Sequence, residues 1–136
     1  MVLATAWVIA ALGCGGGNST IGGPGGAGVV TTSAVRVTVG AGMTGVQMDL
    51  RLVPGFTVVG VTPTGPLAGS SCQANVETTR LRAACVTTAP FSAPATVWLV
   101  DLRHASDAGA AEGVLSLSCS GADAAGRSVA VACELQ

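Results

Sequence analysis

One stretch of the chain alternates without a fault: Val46, Met48, Leu50 and Leu52 are apolar, and Gln47, Asp49 and Arg51 between them are polar or charged. In an extended chain successive side chains point to opposite faces, so this segment sets one face in a core and the other in water. Val35–Val39 repeats the pattern. Further strand-like runs follow at Thr57–Val61, around Cys72–Val76, and at Leu81–Val86, Thr96–Leu102, Val114–Cys119 and Val129–Leu135. Turn signals separate them at Gly40-Ala41-Gly42, Pro54-Gly55, Pro63-Thr64-Gly65-Pro66, Pro90, Pro94 and Ala122–Gly126. Short strands that each have one apolar face bury it by stacking as two sheets, which predicts an all-β sandwich. Thr96–Val100 lacks alternation and is expected to be a central strand covered on both sides at one end. The alanine-rich stretch from Ala105 to Glu112 is expected to add no more than a helical turn, because Gly109 interrupts it and no apolar periodicity runs through it.

With 136 residues, 49% of them hydrophobic and 10% charged, the chain suffices for one compact domain. Its basic residues are all arginine, and the formal net charge is −1. Nucleic-acid binding is therefore not expected, since it rests on clustered cations that neutralise phosphates. The aromatic residues are Trp7, Trp98, Phe56 and Phe91, with no tyrosine. That scarcity argues against a platform on which sugars or bases stack.

The amino-terminal segment differs from the rest. Val2–Leu12 is apolar but well short of the ~20 residues a membrane-spanning helix needs, and fits the core of a signal peptide over residues 1–13. Ala11-Leu12-Gly13-Cys14 resembles a bacterial lipobox, with Ala11 where that pattern commonly has leucine. The resemblance implies cleavage behind Gly13 and lipidation of Cys14, hence attachment to a membrane. Gly15 after the cysteine, in place of aspartate, resembles lipoproteins sent to the outer membrane; the cell surface and the periplasmic face both remain open. Gly15–Gly28 is rich in glycine, with only Ile21 and Ala27 as apolar side chains. Such a segment loses much backbone entropy on ordering and buries little, so residues 14–28, from Cys14 onward, read as a flexible tether to a domain over residues 29–136.

Setting Cys14 aside leaves Cys72, Cys85, Cys119 and Cys133 in the body. In an exported chain four cysteines imply two disulfides, with three pairings. A hairpin turning at Glu77-Thr78-Thr79-Arg80 would set Val76 opposite Leu81, Ala74 opposite Ala83 and Cys72 opposite Cys85, all on one face. A similar count brings Cys119 near Cys133 across the Ser120–Ser128 connection, whether those segments share a sheet or lie in opposite ones. Metal binding by these cysteines is disfavoured, because no CxxC pair exists and the sole histidine, His104, is remote in sequence.

No catalytic constellation stands out. Asp101, His104 and Asp107 are the one grouping with acid–base potential, and their spacing predicts a surface histidine between two acids. The chain has no Gly-x-Ser-x-Gly elbow, and its N-terminal glycines carry no Gly-Lys-Ser/Thr. One histidine is too few for a copper or zinc enzyme on such a fold. Neither an enzyme nor a cofactor or metal is expected.

The order of features resembles a cohesin domain over residues 29–135. Val35–Val39, a turn, Gly45–Leu52, Pro54 and Val58-Val59-Gly60-Val61-Thr62-Pro63-Thr64-Gly65-Pro66-Leu67 are similar to the family's first half. Glu112–Cys119 resembles its penultimate strand. The Tyr-Asp-Pro usual after the third strand of the family is reduced to Val53-Pro54. The resemblance implies a jelly-roll β-sandwich of roughly eight or nine strands in two sheets, binding a dockerin-like protein module through one sheet face. On that basis the partner-binding residues are Gln47 and Asp49, with Arg80 and Arg82 on one neighbouring strand and Ser116 and Ser118 on another. The same side chains also fit a merely solvated strand face. The function expected is a lipid-anchored extracytoplasmic binding or scaffold module. A carbohydrate-binding module that takes polysaccharide, or a purely structural envelope lipoprotein, is the alternative.

Overall fold

The computed structural model describes residues 28–105 and 110–136. Nine strands account for most of them: β1 (Val29–Val39), β2 (Met43–Leu52), β3 (Thr57–Pro63), β4 (Ser71–Val76), β5 (Arg80–Phe91), β6 (Ala95–His104), β7 (Val114–Ala122), β8 (Ser128–Val129) and β9 (Ala132–Leu135). They form a four-stranded sheet in the order β3-β6-β1-β9 and a five-stranded sheet in the order β4-β5-β2-β7-β8, with antiparallel pairing throughout. The chain changes sheet at most connections and makes local hairpins only at β4–β5 and β7–β8. The result is a jelly-roll β-sandwich.

Alternation decides what lies between the sheets. On β2 Val46, Met48, Leu50 and Leu52 are buried, while Gln47 and Arg51 are exposed and Asp49 is half-buried. Leu81, Ala83 and Cys85 of the neighbouring β5 extend this wall, and Val35 and Val37 of β1 with Val97, Trp98, Val100 and Leu102 of β6 supply most of the opposing one. Leu67, on a 3-10 turn at Gly65–Leu67 in the β3–β4 connection, is fully buried and plugs one side of the sandwich. Thr64 anchors that turn by donating its N–H to the Val97 carbonyl.

The interruption of alternation on β6 has a local cause. Val35 pairs with Trp98 but Arg36 pairs with Thr96, so Val97 is the extra residue of a β-bulge. The bulge resets the phase and lets Val97 and Trp98 both be buried. The strand is central, as expected, lying between β3 and β1.

Two boundaries differ from the sequence reading. Pro90 marks no end of a strand: β5 continues to Phe91, and Thr87–Pro90 forms an excursion between the pairs Gly45–Val86 and Met43–Phe91. A residue without an N–H is tolerated there because the ladder is already interrupted. The run from Val129 to Leu135 is two strands in different sheets, since the chain crosses over at Ala130-Val131. Within the stretch from Ala105 to Glu112, a 3-10 turn occupies Ala110–Gly113, and residues 106–109 lie outside the described residues. Gly113 has to be glycine for a packing reason, because a Cβ there would overlap the ring of Phe56.

The β4–β5 hairpin has the expected register: Val76–Leu81, Ala74–Ala83 and Cys72–Cys85. A disulfide joins the last pair. The second disulfide, Cys119–Cys133, joins β7 to β9 and so bridges the two sheets. Continuing the β7–β8 register would set Val131, not Cys133, opposite Cys119, so the bridge depends on the crossover.

Candidate functional site

The outward face of the five-stranded sheet is built by the same alternation that fills the core. Register aligns its side chains in rows across four strands. Gln73, Ala84, Gln47 and Ser120 form one row; Asn75, Arg82, Asp49 and Ser118 form the next; Arg80, Arg51 and Ser116 form a third. All six residues that the sequence nominated for partner binding, Gln47, Asp49, Arg80, Arg82, Ser116 and Ser118, therefore stand on one face of one sheet. Gln73, Asn75 and Ser120 join them. These three were missed, although the signal was present: a hairpin that turns Cys72, Ala74 and Val76 inward necessarily turns Gln73 and Asn75 outward.

The first two rows line an open depression of about 550 Å³. Asp49, one of its lining residues, is held from the adjoining third row. Arg80 donates from Nε to Asp49 Oδ1 at 3.1 Å and from Nη2 to Asp49 Oδ2 at 2.8 Å, a two-point clamp in which guanidinium and carboxylate planes match. Arg51 adds a weaker contact to the same carboxylate at 4.0 Å, and Arg82 pairs with Glu77 at 3.7 Å. The hydrogen bond from Arg80 holds the Asp49 carboxyl below its ordinary value of 3.8 against a smaller opposing effect of desolvation, and Arg80 is raised in turn by Asp49. Asp49 thus serves as an ionised anchor that orients Arg80. Gln47, Gln73 and Asn75 make no side-chain hydrogen bond among the described residues, leaving amide donors and acceptors free around the clamp. Such a face offers shaped polar recognition on a rigid support.

The acid–base grouping does not assemble. Asp101 faces outward, where it accepts a hydrogen bond from Thr32 Oγ1 at 2.5 Å. His104 faces the interior and is buried, contrary to the surface position expected from sequence. Its ring stacks on Phe56 at a centroid distance of 5.2 Å. Nδ1–H donates to the Ala105 carbonyl at 2.8 Å, and Nε2 meets Thr31 Oγ1 at 2.9 Å. The phase of β6 explains the difference: residues 101 and 104 are three apart, and a strand sends such positions to opposite faces. Asp107 and Cys14 lie outside the described residues. No group of three or more His, Cys, Asp or Glu among the described residues is placed to hold a metal ion. Trp98 and Phe56 are buried and Phe91 is half-buried, so the depression carries no aromatic ring.

A nine-stranded jelly roll with a polar, ordered face on its larger sheet defines the class of this molecule. The fold is cohesin-like: it is similar to that of a non-cellulosomal cohesin from the hyperthermophilic archaeon Archaeoglobus fulgidus, with a TM-score of 0.63 and 16% sequence identity over 76% of this chain and 74% of that chain. No protein-family model and no curated protein matches the chain.

Proposed function

We propose that the chain is a protein-binding module that captures a dockerin-type partner through the outward face of the five-stranded sheet, held at the bacterial outer membrane by lipid on Cys14. The observation that carries the binding assignment is the convergence of Gln47, Gln73, Asn75, Arg82 and Ser118 with Asp49 in one open depression, where Asp49 is fixed by Arg80 from the adjoining row. The cohesin-like fold supports the partner class. The absence of a ring from the depression favours a protein over a polysaccharide, whose sugars are usually held by stacking.

The binding test uses the immobilised chain against isolated dockerin modules and cell-envelope extract, with a glycan array alongside. The Gln47→Ala, Asp49→Ala double variant is expected to weaken partner capture by tenfold or more. It should change unfolding little, because an exposed ion pair contributes about 0–1 kcal/mol. Unchanged capture would remove the face from consideration, and binding to glycans alone would favour the carbohydrate-binding reading. For the anchor, Cys14→Ser is expected to shift the chain from the membrane fraction to the soluble fraction. The wild-type amino-terminal peptide should carry the mass of attached acyl chains. A tether over residues 14–28 would allow an r.m.s. reach of roughly 19–23 Å. An unmodified wild-type peptide would sink the anchoring proposal while leaving the sheet face untouched.

A further inference from the structure

The two sides of the sandwich are closed differently. On one side the connection between edge strands β3 and β4 carries Leu67 into the core. On the other, β8 covers β7 only at Gly121 and Ala122, and the chain then leaves for the opposite sheet. Residues 114–120 of β7 pair with β2 on one flank and have no strand on the other among the described residues. The Asp123 N–H bond to the Arg127 carbonyl sets the phase of the hairpin, so the N–H and C=O groups of Leu117 and Cys119 are the ones turned toward that uncovered flank. Edge strands are ordinarily guarded by charge or proline. The segment Val114-Leu115-Ser116-Leu117-Ser118-Cys119-Ser120 has neither. Leu115, displaced by a bulge between the pairs Arg51–Ser116 and Leu52–Val114, is 66% exposed, the most exposed large hydrophobic side chain among the described residues.

We propose that this edge pairs antiparallel with the same strand of a second copy, about a two-fold axis through Ser118. In that register Leu117 of each copy exchanges both backbone hydrogen bonds with Cys119 of the other, which satisfies the four groups pointing outward on each strand. Ser116 lies opposite Ser120, and the ladder stops there because β8 already occupies the next position. Leu115 of each copy then abuts the end of β8 of the other and loses its exposure. Serines occupy every outward position along the seam, so no like charges meet. A two-fold axis closes the assembly at a dimer, and the two polar faces become one continuous sheet.

Sedimentation of the full chain from micromolar to millimolar concentration tests this. A reversible dimer is expected, with amide exchange at Leu117 and Cys119 slowing as the dimer fills. Ser118→Lys and Ser118→Asp should each weaken dimerisation about tenfold, because like charges then face each other across the axis. Mixing the two variants should restore association as a heterodimer. Leu115→Lys, at an exposed bulge, should also weaken it. A chain that stays monomeric throughout overturns the proposal. So does a dimer whose Leu117 and Cys119 amides exchange at the monomer rate, or a mixture of the two charge variants that associates no better than either alone.

Discussion

Replacing Trp98 by alanine is expected to destabilise the domain by about 3–5 kcal/mol. Trp98 is 1% exposed on the central strand β6, between Val35 of β1 and Pro63 of β3, and the bulge at Val97 directs it into the core. Removing its side chain forfeits the transfer free energy of the largest buried group and leaves a cavity that two hydrogen-bonded sheets cannot collapse to fill. Against a total stability of about 5–15 kcal/mol for a domain, that loss brings the fold near its threshold. Denaturant unfolding followed by far-UV circular dichroism gives the measurement, with Trp98→Phe as the milder companion. A loss below about 1 kcal/mol for Trp98→Ala would contradict the central, buried placement of this residue.

Cys72→Ala combined with Cys85→Ala is expected to cost about 3 kcal/mol while leaving the fold recognisable. The bridge spans a sequence separation of 13. Its loss restores loop entropy to the unfolded chain, whereas Ala74–Ala83 and Val76–Leu81 keep the hairpin in register. Replacing Cys119 and Cys133 by alanine should cost a similar amount but act elsewhere. β9 is paired to β1 alone, so losing its covalent tie to β7 should speed amide exchange across Ala132–Leu135 more than in any other strand. Peptide mapping without reduction should recover Cys72 with Cys85 and Cys119 with Cys133. Recovery of Cys72 with Cys119 or Cys133 would be incompatible with the hairpin register.

Several features were legible because their causes are local. Alternation along Val46–Leu52 told which side chains of β2 enter the core, and the short turn after Val76 specified the whole β4–β5 register, including the Cys72–Cys85 pair. The bulge at Val97 and the inward His104 were not legible. Both depend on the phase of β6 relative to β1, and β6 lies more than fifty residues away in the chain. The crossover at Ala130-Val131 was also hidden, because a run from Val129 to Leu135 has the same composition whether or not it changes sheets.

The candidate site divides in the same way. By itself the sequence determined that Gln47, Asp49, Arg80, Arg82, Ser116 and Ser118 belong on strands with one wet face, since a period of two specifies a face for each side chain. It also determined the two-sheet architecture, because that many half-apolar strands have to cover one another. That β5 and β7 flank β2 was implied by the family resemblance and not by the alternation; only the tertiary structure decided the register, and therefore that Arg80 grips Asp49 and that Asn75, Arg82, Asp49 and Ser118 stand in one row. The physical reason is that alternation encodes direction but not neighbour. Which strands pair over long separations is set by how both sheets close together around Trp98, Leu50, Leu81 and Leu102, a packing condition shared by the whole chain.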